Sequence, residues 1–336
     1  MVFKLMSLPW IVLKQIVTMM DPVTIFCMLP TSSKVFQVVN PIIKVGFGNM
    51  YVISVSVENV VRINLNDHRG NNVARIVAQS WRGAELHHHE STWGTLNIRW
   101  HPEVEDLPCI YVHCANTIFG AQWAVAVFMK SFWIPVKKFI LNVPGDVDDS
   151  RLVRLTAFVN DTCPEECVWK AQNLTTLQYF DVLQNVNIKG SFVLQLDPLG
   201  AFDLNRLRDR KDPVSIIAER ITLENPWWLD FRQLMGLVAC SRITFSDLDP
   251  FPARNVSAFI SQYRIGSHPK LELLRIGRVE FAPVLSILRG HEAQLISQEQ
   301  KIYRITMIDR RTFTIQFVQH RDEGGPLWEV TLQRED

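Results

Sequence analysis

Apolar residues fall at helical spacing at the start of the chain. Leu13, Ile16, Val17 and Met20 lie three or four apart and form one face of a predicted helix. Ser7-Leu8-Pro9 supplies its start signal, a capping hydroxyl followed by proline within the first turn. Asp21-Pro22 repeats that signal ahead of Val23, Ile25, Phe26 and Leu29. Pro30 ends this second helix, because proline lacks the N–H donor and clashes with the preceding turn. A third helix is expected from Ser32 to Val39, running until Asn40-Pro41. The period then drops to two: Ile53, Val55 and Val57 alternate with Val52, Ser54 and Ser56, and Val61, Ile63 and Leu65 continue the pattern. With the turn cluster Asp67 to Asn72 and a further run from Val73 to Ala78, a small β-meander is predicted.

Ser80 to Leu107 is rich in tryptophan and histidine and has no clear period. Ile118 to Ile134 is largely apolar but contains Gln122, Lys130 and Ser131, which predicts a buried helix and a loop to Pro135 rather than a membrane span. Helices and strands alternate from there. Leu177-x-x-Phe180-x-Val182-x-x-Asn185 fits the strand pattern of a leucine-rich repeat. Weaker echoes stand at Val136/Phe139/Leu141, Ala218/Ile221/Leu223, Cys240/Ile243/Phe245 and Leu271/Leu274/Ile276. Amphipathic helical stretches, Leu229 to Val238 and Val256 to Tyr263, separate the last three. This alternation predicts a parallel sheet flanked by helices. Tyr303/Ile305/Met307, Phe313/Ile315/Phe317 and Trp328/Val330/Leu332 then read as three strands of a terminal antiparallel meander. The expected fold class is therefore α+β or α/β: a small N-terminal three-helix segment over 1–48, then an irregular leucine-rich-repeat-like strand–helix body over 49–336 with antiparallel meanders.

Composition narrows the function classes. The 336 residues are 47% hydrophobic and 21% charged, so wholesale disorder is excluded. Lys+Arg 35 against Asp+Glu 34 leaves a net charge of +1, so no long-range field favours nucleic acid or an anionic membrane. Six cysteines are too sparse for a disulfide scaffold, and Met1 leads into no signal-like segment. An intracellular chain, cytoplasmic or nuclear, with six reduced thiols is expected, so the Asn-x-Ser/Thr triplets at Asn160, Asn173 and Asn255 carry no weight.

Candidate chemistry is thin. His87-His88-His89-Glu90 stands near His101, Cys109, His113 and Cys114, but adjacent residues fan out and rarely converge on one metal. Cys163-Pro164-Glu165-Glu166-Cys167 has neither zinc-knuckle nor redox spacing. No nucleophile elbow, phosphate loop, metalloprotease motif or dinucleotide fingerprint occurs. Asp146, Asp148 and Asp149 read as a solvated turn, and Trp227-Trp228 beside Pro226 as packing aromatics. No enzyme activity, cofactor or metal is expected. The alternative is a metal-binding or enzymatic protein built on the His87–Cys114 region.

One segment is more specific. Leu8-Pro9-x-x-Val12-Leu13-x-x-Ile16-x-x-x-Met20-Asp21-Pro22-x-x-Ile25-Phe26-x-x-Leu29-x-x-Ser32-Ser33-Lys34 resembles an F-box. Asn225-Pro226-Trp227-Trp228, Asn255 to Phe259, Gly266-Ser267-His268-Pro269-Lys270-Leu271-Glu272-x-Leu274 and the terminal meander resemble the type 2 F-box-associated region of nematode-type families. Ile11 departs from the glutamate common there, Pro30 interrupts the second helix, and no tryptophan follows Lys34. The resemblance implies a substrate-receptor subunit of an SCF-type ubiquitin ligase. Leu8, Pro9, Val12, Leu13, Ile16, Ile25 and Phe26 would contact the Skp adaptor, and through it a cullin–RING ligase. The body would hold an unidentified target protein; an F-box protein acting outside a ligase is the related alternative. Three helices in so short a segment bury little surface alone, which agrees with a need for a partner. If Phe180/Val182, Ile221/Leu223, Ile243/Phe245 and Leu274/Ile276 point inward, period two turns Asp181, Thr222, Glu224, Thr244, Ser246 and Arg275 onto an open face. Those six are the candidate target-binding residues.

Overall fold

A computed structural model describes residues 8–20, 22–28, 33–44, 49–80, 90–93, 96–104, 107–143, 148–172, 174–197, 216–224, 226, 230–246 and 250–335. The protein is mixed α/β. It divides into two compact units, Met1–Asn142 with Ala157–Pro164, and Val143–Thr156 with Glu165–Asp336. The three N-terminal helices share a unit with the strands that follow them. Among the described residues no helix is long and apolar enough to cross a membrane.

The first unit opens with helices α1 (Trp10–Met19), α2 (Pro22–Met28) and α3 (Ser33–Lys44). Pro22 opens α2 as expected, whereas Pro9 is itself the N-cap of α1 and makes no side-chain cap bond; Ser7 and Asp21 lie outside the described residues. The stop at Asn40-Pro41 does not hold: α3 runs through Pro41, which forfeits one backbone hydrogen bond without ending the helix. Buried Val39, Ile42 and Ile43 fasten the helix on both sides of the proline. Next come β1 (Tyr51–Val57), β2 (Val61–Asp67), β3 (Asn72–Gln79), β4 (Glu90–Trp93), β5 (Leu96–Val104), β6 (Leu107–His113), α4 (Thr117–Phe132) and β7 (Val136–Val143). The strand order is β7-β1-β2-β3-β6-β5-β4, with β7 parallel to β1 and β3 parallel to β6. Ile53, Val55, Val57, Val61, Ile63, Leu65 and Ile76 are buried, so the meander has the face that period two predicts. Helix α4 covers this sheet and ends as expected before Pro135; α3 packs on α4, and α1 on α3. Asn116 caps α4 by accepting from the backbone N–H groups of Ile118 and Phe119.

The second unit takes most of helix α5 (Asp149–Thr162), then β8 (Glu166–Gln172), α6 (Thr176–Asn185), β9 (Ser191–Asp197), β10 (Arg220–Glu224), α7 (Phe231–Met235), β11 (Arg242–Ser246), α8 (Ala253–Arg264) and β12 (Leu273–Glu280). Helix α9 (Val284–Ile287) and strands β13 (Gln294–Ser297), β14 (Ile302–Thr306), β15 (Thr312–Asp322) and β16 (Gly325–Arg334) complete it. Strands β8 to β12 lie side by side in chain order, all parallel. β16 pairs antiparallel with β12, β15 and β14 follow outward to complete the predicted three-strand meander, and β13 adds a fourth strand that was not expected. Trp169, Phe192, Leu194, Ile221, Leu223, Ile243, Phe245, Leu274, Ile276, Val330 and Leu332 are buried on one face. Helix α8 packs there: the Tyr263 ring meets Phe313 edge-on at 5.0 Å, and its hydroxyl donates to the Leu271 carbonyl at 2.7 Å.

One expected strand is a helix. Leu177 to Asn185 forms most of α6, started by a capping box in which Thr175 and Gln178 satisfy each other's backbone N–H groups. Val182 and Leu183 are buried together with Val186, a 3.6-residue pattern, whereas Leu177 is exposed. Helix periodicity and the cap outweigh the loose strand template.

Candidate functional site

Register alone assembles the open face of the second unit. Val193, Thr222, Thr244, Arg275 and Thr331 stand directly abreast on β9, β10, β11, β12 and β16. Gln195, Glu224 and Ser246 form the next row. Parallel strands are commonly covered on both faces. Here β10 and β11 alternate buried with half-buried residues, so one face of each is apolar and the other polar. Thr222, Glu224, Thr244, Ser246 and Arg275 are brought together as expected. Asp181 is not: it is an exposed residue of α6, because the segment that carries it is helical.

The charges on this face are fixed by neighbours. Gln195 Nε2 donates to Glu224 Oε1 at 2.9 Å. Arg275 donates twice to Glu329 of β16, Nε to Oε1 at 2.9 Å and a terminal nitrogen to Oε2 at 3.0 Å. This two-pronged pairing raises the Arg275 pKa above its ordinary value and keeps the guanidinium charged. His320 Nε2 of β15 lies 3.5 Å from the same carboxylate, and Arg278 pairs with Asp322.

Around these groups lies a pocket of about 510 Å³, lined by Thr244, Ser246, Gly277 and Leu327 together with the charged residues of β12, β15 and β16. Its shape follows from a bulge. Between Ile276 and Val279, β12 advances three residues while β16 advances from Val330 to Trp328, so Gly277 and Arg278 together oppose Glu329. Strict alternation would turn Arg278 inward; the extra residue turns it onto the polar face. Gly277 suits the position, because a Cβ there would lie 3.1 Å from the Phe245 carbonyl oxygen. The arrangement offers guanidinium and hydroxyl donors beside two carboxylates, which is binding chemistry.

Sequence reasoning missed Arg278, His320, Arg321, Asp322 and Glu329. A glycine inside the apolar strand pattern at Gly277 is the signal for the bulge. Trp328/Val330/Leu332 already implied that Glu329 faces the other way. Nothing local in the sequence marks His320 to Asp322.

The N-terminal helices make a second candidate surface, and there the expected list needs correction. Leu13, Ile25 and Phe26 are buried within the first unit, with Phe26 stacked on Phe128 at 4.9 Å and edge-on to Trp123 at 5.7 Å. Their apolar surface is taken by the chain itself. Val12 and Pro9 are exposed, and Leu8 and Ile16 half-buried. Beside them Trp10 is 53% exposed, Ile11 71% and Met19 86%, none of which was singled out as a contact. Helix α1 thus buries one apolar stripe and leaves further apolar residues exposed among Lys14, Gln15 and Thr18.

His87, His88 and His89 lie outside the described residues, as do Asp146, Trp227 and Trp228. Cys109 and His113 belong to β6 and are buried, as is Cys114 just beyond it. The Cys114 thiol donates to the Asn116 carbonyl at 3.0 Å, and burial pushes its pKa up. Among the described residues, Cys109, Cys114, Cys163, Cys167 and Cys240 are free thiols. Asp148 is exposed as expected, and its carboxylate accepts from the Ser150 hydroxyl and the Arg151 backbone N–H at the start of α5, which lowers its pKa. Compared with family models, curated proteins and solved structures, the chain finds no match.

Proposed function

We propose that this chain is a substrate-receptor subunit of an SCF-type ubiquitin ligase, docking a Skp adaptor through its N-terminal helices and a target protein through the polar sheet face. The observation that carries the reading is α1, which leaves Trp10, Ile11, Val12 and Met19 exposed although Leu13 and Val17 are already buried. A soluble helix ordinarily keeps its apolar residues on one buried stripe, and large apolar residues exposed beyond that stripe mark an interaction surface. The N-terminal segment is the F-box-like one, which supplies the identity of the partner. The adaptor contact therefore centres on Leu8, Pro9, Val12 and Ile16 and extends to Trp10 and Ile11, rather than reaching Leu13, Ile25 and Phe26.

The body supports the second half of the reading. Parallel strands in chain order, with apolar residues on one face and polar residues on the other, resemble an irregular leucine-rich-repeat arrangement. Proteins of that kind bind partners across extended faces. Such a subunit supplies proximity and orientation, and the bond chemistry belongs to the rest of the ligase.

Copurification with a Skp adaptor tests the reading. Ile11→Asp with Val12→Asp should abolish copurification, since central apolar anchors cost about 2 kcal/mol or more when lost. The circular-dichroism spectrum should stay unchanged, because both side chains face solvent. Full adaptor binding by the double variant would refute the docking surface, and absence of binding by the parent chain would refute the ligase reading.

A further inference from the structure

We propose that the groove between α4 and the C-terminal end of α5 binds a small neutral molecule, predominantly aromatic and bearing hydrogen-bonding groups at its edge. The site lies wholly within the first unit, draws on no residue of the polar sheet face and goes beyond the ligase reading.

Three observations carry it. The first is the outer face of α4. Ile118, Ala121, Val125, Phe128 and Phe132 are buried along one side of this helix. At about 100° per residue, Phe119, Gln122, Trp123, Ala126, Met129 and Lys130 fall within an arc of roughly 120° on the opposite side, and all six line the groove. Four of the six are apolar, and Phe119 is 52% exposed. A helix covered on one face ordinarily turns polar residues to the other, and a helix apolar all round is a buried one. The second apolar face of α4 therefore lacks the cover that its composition calls for.

The second is the groove itself. Its volume is about 510 Å³, within the range of small-molecule sites, and it follows α4 for about 16 Å from Phe119 to Lys130. Its walls are fixed by packing. Phe158 of α5 is buried and meets Phe139 edge-on at 4.9 Å, and Trp123 meets Phe26 of α2 edge-on at 5.7 Å. Walls held in place before binding cost little to order when a ligand arrives. The rings of Phe119, Trp123 and Phe158 and the polarisable sulfur of Met129 favour an aromatic guest, which can stack on them or meet them edge-on.

The third is charge. Among the described residues that line the groove, the charged ones are Lys130 and Asp161, one of each sign. Neither forms an ion pair with a described residue. A carboxylate guest would gain Lys130 and meet Asp161, and an ammonium guest would do the reverse, so the balance selects a neutral molecule. The half-buried Gln122 amide makes no hydrogen bond to a described residue either. Ammonium, carboxylate and amide together offer donors and acceptors to the hydroxyl, carbonyl or amide groups of an uncharged guest.

The test uses the full chain and two aromatic dyes read by fluorescence: Nile red, which is uncharged, and anilinonaphthalene sulfonate, which is anionic. Nile red should bind saturably, one dye per chain. Ala126→Trp fills the middle of the groove from the outer face of α4 and should weaken Nile red by at least about tenfold, with an unchanged circular-dichroism spectrum. Phe119→Ala removes one exposed wall without touching the core and should weaken it by about fivefold, as expected for one aromatic contact. The sulfonate dye should bind more tightly to Asp161→Asn and more weakly to Lys130→Gln, while Nile red stays the same in both. Undiminished Nile red binding by Ala126→Trp or Phe119→Ala would overturn the site, and a sulfonate dye indifferent to both charge variants would overturn the neutral-ligand assignment. Ile11→Asp with Val12→Asp should leave Nile red bound; loss of the dye there would place it on α1 and overturn the proposal. Adaptor copurification of the groove variants is a separate readout, whose failure bears on the ligase reading and leaves the groove standing.

Discussion

The outward faces of the two sheets are built from the same alternation and end in different chemistry. Over β1, β2 and β3, neutral groups knit to one another and to one arginine: Asn66 donates to Ser54 at 2.9 Å, Asn72 to Asn64 at 3.3 Å, and Arg75 to the same Asn64 oxygen at 3.1 Å. Over β11, β12, β15 and β16, four charged side chains pair across strands around a pocket, with His320 beside one of the carboxylates. Polar-out alternation therefore creates only a solvated face. Charge brought in by a bulge and by distant strands is what turns one of these faces into a candidate site.

The comparison holds only if the inward faces are equivalent, and that is the largest effect to measure. Phe245→Ala in the second sheet should cost about 3–5 kcal/mol, and Ile63→Ala in the first about 2–5, because both side chains are fully buried. Urea unfolding reads both; Thr222→Ala, on the polar face, should stay within about 0.5 kcal/mol. A polar-face substitution as costly as Phe245→Ala would break the division into inward and outward faces.

Next in size are the glycines. Gly277→Val should cost about 1–3 kcal/mol by pressing on the Phe245 carbonyl, and should also weaken any ligand of the pocket. Gly70, in the turn between β2 and β3, has φ of +86° with nothing near its missing Cβ. Gly70→Ala should cost only the left-handed conformation, about 1–2 kcal/mol, with no effect on binding. Packing forces the glycine in one sheet and backbone conformation in the other.

A pH effect belongs to the second unit. His268 is fully buried beside Phe259 with its Nδ1 2.8 Å from Ser267 Oγ, and His291 is buried 3.1 Å from Ser257 Oγ. Burial lowers the pKa of both, and Arg264 lowers that of His291 further. The unfolded chain binds these protons more readily than the folded one. Stability should therefore be full above about pH 6.5 and fall as the pH drops below it. Melting temperatures across pH 7 to 5 check this, and His268→Gln should flatten the slope. The smallest effect separates ion pairs. Glu58→Gln breaks an exposed pair with Arg62 and should change stability by less than about 0.5 kcal/mol, whereas Glu329→Gln should cost about 1 kcal/mol, because Glu329 is mostly buried and doubly bonded.

Legibility followed the range of the interactions. The inward residues Ile221, Leu223, Ile243, Phe245, Leu274 and Ile276 were readable because strand burial repeats every second residue, and all six are buried. Helix α6 was misread as a strand although Thr175 and Gln178 spell its cap, since a loose repeat template was given more weight than a local hydrogen-bond signal. Leu13, Ile25 and Phe26 were placed at a partner surface because a local pattern shows that a face is apolar, not what covers it; Phe128, far along the chain, does. The same distance hid the pocket: Arg275 and Glu329 are 54 residues apart, and only sheet register joins them.

The strand order also sets a timetable for synthesis. β12 gains β11 as a neighbour once it is made, yet its other edge waits for β16, while α9, β13, β14 and β15 are still being added. From Leu273 until Gly325 emerges, β12, and then β15 once it is made, each hold a row of unpaired backbone groups, and the core still lacks Trp328. Translation at about 5–20 residues per second makes that interval several seconds long. A ribosome stalled within it would present two sticky strand edges, the feature that holdase chaperones and neighbouring nascent chains capture. The keystone position of β16 makes the pocket one of the last features of this chain to come into being.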